Sequence, residues 1–180
     1  MFLDRDGTVA EEVGYLNHVN RFRLLQGAAA AIRKLNEASQ PVVVITNQSG
    51  VGRGYFPEQL VRDVHERMTA ELQQAGARLN GVYYCPHVSS DNCECRKPKT
   101  GMLERAAREL ELDLKRSFVV GDRHSDVELA HRVGARSILV RTGYGEGELA
   151  WHAKDWLRQP EFIAADLPEA VEWILQEVRR

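Results

Sequence analysis

The chain has no excess of positive charge: 24 Lys and Arg stand against 26 Asp and Glu, for a net charge of −2. It therefore has no electrostatic hold on nucleic acid or on an anionic membrane, and a small polar substrate fits better. Long apolar runs are missing too; the longest purely aliphatic one, Val42 to Ile45, is far short of a bilayer span. No charged-then-apolar leader opens the chain, so a cytoplasmic protein is expected. Cysteine is scarce and confined, all three residues lying between Cys85 and Cys95. In a reducing compartment that argues for a metal rather than a disulfide. Repeats, low-complexity tracts and linkers are absent, and 180 residues suit a single monomeric domain, 1–180, able to bury a core without cross-links.

What is present is an alternation of apolar runs with helical patterns, which builds a parallel sheet covered by helices on both faces, an α/β three-layer sandwich. Strands are expected to end at Leu3 and to span Val42–Thr46, Val82–Tyr84, Phe118–Val120 and Ser137–Val140. Ala28, Ala31, Ile32 and Leu35 mark one helix face, and Leu60, Val61, Val64, Met68 and Leu72 mark a longer helix opened by Pro57 and ended by Gly76. Met102, Leu103, Ala106 and Leu110 mark a third; a fourth runs to Val133 with Gly134 as its cap. Asp166 with Glu169 resembles a capping box ahead of a final helix through Val178. Met1 lies only three residues before Asp4, which predicts a very short first strand or a start further upstream.

Ligands of open α/β sheets bind beyond the carboxyl ends of the strands, and the polar motifs of this chain fall there. Asp4 and Asp6 follow the first strand on a turn containing Gly7; Thr46 to Gly50 follows the second; Arg96, Lys97 and Pro98 lie beyond the third; Gly121 and Asp122, then Asp126, follow the fourth. Each has a plain structural explanation as a turn or cap, but their coincidence at one sheet edge does not. Together they are what phosphoryl transfer to an aspartate needs: one carboxylate to attack and another to exchange a proton with the leaving oxygen. A cation must stand between a phosphate dianion and a carboxylate, and Mg²⁺, held by Asp4 and Asp122, suits oxygen ligands. Thr46, Asn47 and Lys97 would supply donors to the charge spreading over the phosphoryl oxygens.

Cys85, His87, Cys93 and Cys95 offer four soft or borderline ligands in eleven residues, a set suited to tetrahedral zinc. With four protein ligands no position is left for water, so the zinc is expected to be structural, folding the loop just before Arg96 and Lys97.

The four strand-end motifs, in order and spacing, resemble the haloacid dehalogenase-like phosphatase superfamily over roughly residues 2 to 145. The resemblance implies a Rossmann-like core with central strand order 5-4-1-2-3, Asp4 as nucleophile and Asp6 as general acid, then base. It also implies Mg²⁺ bound by Asp4, the main-chain carbonyl of Asp6 and Asp122, with Asp126 as a supporting acid. Neither position at which that superfamily inserts a cap domain has room for one here, so loops must select the substrate. The stretches Phe2 to Thr8, Glu12 to Tyr15, Thr46 to Gly50, Cys95 to Pro98 and Val120 to Asp122 are similar to the capless zinc-loop subgroup of heptose-bisphosphate and histidinol-phosphate phosphatases. Gly101, Met102 and Arg141 to Gly143 lean toward the heptose enzymes, while Thr100, where those more often have proline, and a short zinc loop depart from them. By this resemblance Glu12, Val13, Gly14, Tyr15, Thr46, Asn47, Gln48, Ser49, Arg96, Lys97 and Arg123 line the substrate site. Removal of the C7 phosphate from a heptose 1,7-bisphosphate is implied, with histidinol phosphate or another small monoester as the alternative. With Lys97 engaged on the transferred phosphate, Arg96 and Arg123 are left to grip a second one by bidentate bonds.

A phospho-receiver domain also gathers aspartates, a threonine and a lysine around Mg²⁺ on a doubly wound sheet. It has no use for Asp6, and its phosphorylated residue does not lie on the first strand. A zinc-ribbon interaction module would leave the other strand-end motifs unexplained.

Overall fold

In a computed structural model, which describes residues 1–179, six parallel strands form one sheet in the order β3-β2-β1-β4-β5-β6. In chain order the elements are β1 (Phe2–Leu3), α1 (Ala28–Glu37), β2 (Val43–Asn47), α2 (Glu58–Gln74), β3 (Gly81–Cys85), α3 (Gly101–Glu109), β4 (Phe118–Gly121), α4 (His124–Val133), β5 (Arg136–Val140), α5 (Gly145–Trp151), β6 (Phe162–Ala164) and α6 (Leu167–Val178). The expected central order is present, extended by β6. That strand and α5 are the two elements the sequence did not announce. Three residues are too few to display a period, and α5 opens on two glycines, poor helix formers.

Strands buried on both faces read as unbroken apolar runs, and alternate side chains go to opposite layers. Leu3, Val42, Val44, Phe118, Val120, Ile138 and Val140 pack with α1, α2 and α6. Phe2, Val43, Ile45 and Val119 face α3 and α4 on the other side. The short first strand is the center of the arrangement. Phe2 and Leu3 pair with Val43 and Val44 on one side and with Val119 and Val120 on the other. Its ladder is lengthened by Val43 N–H donating to the Met1 carbonyl (2.8 Å) and Asp4 N–H to that of Val120 (2.9 Å).

Helix ends follow local chemistry. Gly134, at φ +71°, closes α4 in the left-handed region that a β-carbon disfavors, and Asp166 accepts the Glu169 N–H at the start of α6. No helix among the described residues is long and apolar enough to cross a membrane. Among the described residues, neither a cap domain nor a second sheet stands over the carboxyl ends of the strands.

Candidate active site

The chain leaves β1 through a tight turn in which the Arg5 carbonyl accepts from the N–H groups of Thr8, Val9 and Ala10. Gly7 lies at φ +80°, and a β-carbon there would come within 2.1 Å of an Asp122 oxygen. Glycine thus serves both the turn and the close approach of the β1 and β4 loops. Gly143 closes on the same oxygen from the loop after β5.

At the floor, the Lys97 ammonium lies 2.8 Å from Asp4 Oδ1 and 2.6 Å from Asp126 Oδ1, and donates to the Ile45 carbonyl at 3.3 Å. All three charged groups are buried. Asn47 fixes Lys97 by its backbone: its amide oxygen accepts the Lys97 N–H at 3.1 Å, and its Nδ2 donates to the Lys97 carbonyl at 3.2 Å. Its side chain therefore orients the lysine. Asp126, which the sequence left as a generic supporting acid, is the lysine's second counter-charge.

Asp4, Asp122 and Asp126 present oxygens all within 4.8 Å of one another. Burial pushes the Asp4 carboxyl up to about 7, with Asp126 and Asp6 adding to the rise and Lys97 opposing it. Burial, then repulsion by Asp4 and Asp126, pushes Asp122 up to about 8. One ammonium does not balance three buried carboxylates. Moreover, Asp122 Oδ1 is buried without a hydrogen-bond partner, while its Oδ2 accepts the Tyr144 N–H at 2.8 Å. An orphaned oxygen beside Asp4 in a surplus of negative charge fits an oxygen-seeking divalent cation. Burial alone would lower the Lys97 pKa, but Asp126 and Asp4 outweigh it and raise it, so the ammonium stays charged.

The Asp6 carboxylate belongs to a separate network. Arg5, wholly buried, donates to Asp6 Oδ1 from Nε (3.0 Å) and Nη2 (2.9 Å) and to Oδ2 at 2.7 Å. Gln48 Nε2 donates to Asp6 Oδ2 and to Thr46 Oγ1, both at 2.8 Å. Arg5 Nη1 stands 3.1 Å from His65 Nε2. As arginine only donates, that nitrogen is the acceptor and the ring is neutral, with its proton on Nδ1. Sequence reasoning missed Arg5 and His65; the middle residue of Asp-x-Asp carries no periodic signal, and His65 reads as one more position on α2.

These groups open onto a cavity of about 580 Å³ lined by Glu12, Gly14, Tyr15, Thr46, Asn47, Gln48, Ser49, Arg96, Lys97 and Arg123. Val13 is the exception among the expected lining residues: it does not line the cavity but is half-buried and packs against the hydrophobic core. The cavity also takes in Arg53, Lys99 and Tyr144, which the sequence did not single out. Arg96 Nη1 donates to the His87 carbonyl at 3.2 Å, tying the rim to the cysteine loop.

That loop draws Cys85, His87, Cys93 and Cys95 together. Cys85 Sγ is 3.5 Å from Cys93 Sγ, Cys95 Sγ is 3.0 Å from Cys85 Sγ and 3.5 Å from Cys93 Sγ, and His87 Nδ1 is 3.3 Å from Cys95 Sγ. Ligands on a tetrahedral zinc lie roughly 3.8 Å apart for bonds of about 2.3 Å, so the group has the type and nearly the spacing of a closed site. All three thiols are free.

Comparison with known proteins bears on this geometry. The family model for haloacid dehalogenase-like hydrolases matches residues 4–131, and a second HAD-hydrolase-like model matches residues 94–170. The chain is 42% identical to the D-glycero-D-manno-heptose-1,7-bisphosphate 7-phosphatase of Thermosynechococcus vestitus, covering 97% of this chain and 94% of that protein. It is 40% identical to the D-glycero-beta-D-manno-heptose-1,7-bisphosphate 7-phosphatase of Yersinia pestis, covering 96% and 94%. The crystal structure of the D,D-heptose 1,7-bisphosphate phosphatase of B. bronchiseptica, complexed with magnesium and phosphate, is 35% identical and aligns with a TM-score of 0.91 over 98% of both chains. With Asp4 and Asp122 at the ends of the first and fourth strands and Lys97 between Asp4 and Asp126, and with a family match over more than half its length, this chain belongs to the haloacid dehalogenase-like hydrolases.

Proposed function

We propose that this protein is a Mg²⁺-dependent phosphatase that removes the C7 phosphate of D-glycero-D-manno-heptose 1,7-bisphosphate through an aspartyl-phosphate on Asp4. The observation that carries the reading is the separation of two carboxylates into two environments. Asp4 lies against Lys97 and the other acids, while Asp6 is held apart by Arg5 and Gln48. A nucleophile and a proton carrier need such different surroundings. The substrate comes from the relatives named above and from a cavity whose Arg53, Arg96 and Arg123 pair with no carboxylate among the described residues.

In the first half-reaction an Asp4 oxygen forms a bond to phosphorus as the bond to the sugar oxygen breaks, and Asp6 gives that oxygen its proton. In the second, water attacks the phosphorus of the aspartyl-phosphate, Asp6 takes the water's proton, and the bond to Asp4 breaks to release phosphate. Lys97, positioned by Asn47, and the Thr46 hydroxyl stand ready for the phosphoryl oxygens. When bound by Asp4, Asp122 and the Asp6 main-chain carbonyl, Mg²⁺ supplies neutralization between the phosphate dianion and the attacking carboxylate. Zinc at Cys85, His87, Cys93 and Cys95 holds the loop that carries Arg96.

The test is initial rates on a panel containing both anomers of the heptose bisphosphate, fructose 1,6-bisphosphate and histidinol phosphate, with Mg²⁺ and after EDTA. A heptose bisphosphate should exceed the other compounds in kcat/KM by at least about tenfold, and EDTA should abolish turnover. Equal rates across the panel would refute the substrate, and full activity in EDTA would refute the metal.

A further inference from the structure

Of the cations around the cavity, most are already engaged. Lys97 is enclosed by carboxylates, Lys99 lies 3.1 Å from Glu94 Oε1 and 2.9 Å from the Asn92 carbonyl, and Arg96 donates to the His87 carbonyl. Arg123 differs. Its guanidinium carbon lies 3.7 Å from the centroid of the Tyr144 ring, and no side-chain hydrogen bond to it is formed among the described residues. Glu12 is near enough for the Arg123 charge to act on its carboxyl, yet the two form no ion pair. Arg53 also lines the cavity, and among the described residues its guanidinium has neither a ring beneath it nor an acceptor.

A guanidinium carries its five donors in its own plane, so stacking on an aromatic face fixes the group while leaving every N–H free. The ring itself is well placed to do this without depending on its load. Tyr144 follows Thr142, whose hydroxyl donates to the Gly7 carbonyl, and its own N–H donates to Asp122 Oδ2. The main chain under the ring is therefore pinned to the β1 and β4 loops by bonds that do not involve the side chain.

We infer that Tyr144 is a positioning residue that holds the Arg123 guanidinium against the cavity wall, its N–H edge open to a second anionic group of the substrate remote from the phosphate at Asp4. The inference rests on the bisphosphate reading above and adds to it the residue that makes Arg123 selective. A free arginine must give up its rotamer freedom when it binds an anion, whereas one already stacked has less to lose. A small monophosphate bound at Asp4 does not reach it.

The experiment compares wild type with Tyr144→Ala, Tyr144→Phe, Arg123→Ala and the Tyr144→Ala/Arg123→Ala double variant. Each is measured in Mg²⁺ on the heptose 1,7-bisphosphate, on fructose 1,6-bisphosphate and on p-nitrophenyl phosphate. Tyr144→Ala should lose about three- to tenfold in kcat/KM on the bisphosphates, the scale of a cation–π contact, and less than about twofold on p-nitrophenyl phosphate. Tyr144→Phe should restore the bisphosphate rate, because the ring and not the hydroxyl is used. The double variant should be no worse than Arg123→Ala alone. Equal losses on all three compounds, failure of phenylalanine to rescue, or additive losses in the double variant would each overturn the assignment. A wild type that rejects the heptose compound but accepts fructose 1,6-bisphosphate would refute the proposed substrate, leaving Tyr144 to stand or fall on the latter. A wild type that turns over neither bisphosphate overturns both.

Discussion

The proposed role puts two demands on the Asp4 carboxylate: to stay close to the Lys97 ammonium at 2.8 Å and to present an oxygen to phosphorus. An amide is nearly the same size but cannot attack, so Asp4→Asn should keep the fold and lose turnover. Retention of more than about a tenth of wild-type activity would eliminate the covalent route. Asp6→Asn should fall by ~10²–10⁴, the usual worth of general acid–base help, measured as kcat on the same substrate. His65 makes a different kind of prediction. Burial, then the Arg5 charge, lowers its pKa from 6.5 to about 3. Between those values the unfolded chain binds a proton that the folded one does not, so stability is full above about pH 6.5 and is lost as pH falls toward 3. At pH 4 this amounts to about 3 kcal/mol as an upper bound. His65→Gln keeps an acceptor for Arg5 without the titration, and its urea-derived stability should be flatter than wild type from pH 6.5 to 4; parallel curves would show that His65 does not contribute to acid sensitivity.

The cysteine loop, residues 85–95, joins β3 to Lys97; Gly52 N–H donates to its Pro86 carbonyl, Gly101 N–H to its Glu94 carbonyl, and Lys99 and Arg96 bond to it, while Cys85, His87, Cys93 and Cys95 gather at its center. Purified protein should carry about one zinc by elemental analysis. Stripping it, or Cys93→Ser, should cost the heptose bisphosphate more than p-nitrophenyl phosphate, because the loop supports the rim rather than Asp4. Absence of zinc with all three thiols freely titratable would end the structural-site claim. This loop was legible in advance because ligand type and spacing are local, as were β2 and β4, whose apolar runs are buried on both faces. Other features were not. The three residues of β6 gain their pairing only from β5. Val13 was expected at the site through the resemblance of the stretch Glu12 to Tyr15, whereas its half-buried side chain packs against the core. The Arg5–His65 contact and the Arg123–Tyr144 stack join residues far apart in sequence, and no one-dimensional pattern shows a residue whose meaning is the group it touches.

Taken as a whole, the molecule gathers negative charge at the meeting point of its loops. Asp4, Asp122 and Asp126 are buried together against one lysine, which costs stability until a cation arrives. At a Mg²⁺ concentration 100 times the dissociation constant the folded state should gain about 2.7 kcal/mol, or roughly 5–10 °C in Tm for a chain of this size. Asp122→Asn should melt higher than wild type in EDTA and respond less to Mg²⁺; an unchanged Tm on adding Mg²⁺ to wild type would argue against a cation at these acids. The two-residue first strand has a consequence for how the protein is made. Phe2 and Leu3 are too few to hold a place alone and are paired on both sides, with β2 and with β4, whose residues lie far along the chain. The strand that leads to Asp4 can therefore be seated only after the segments flanking it have found each other, a loop closure of high sequence separation. During refolding from urea, recovery of helix signal should run ahead of recovery of turnover, and the interval between them measures the insertion of this one short strand.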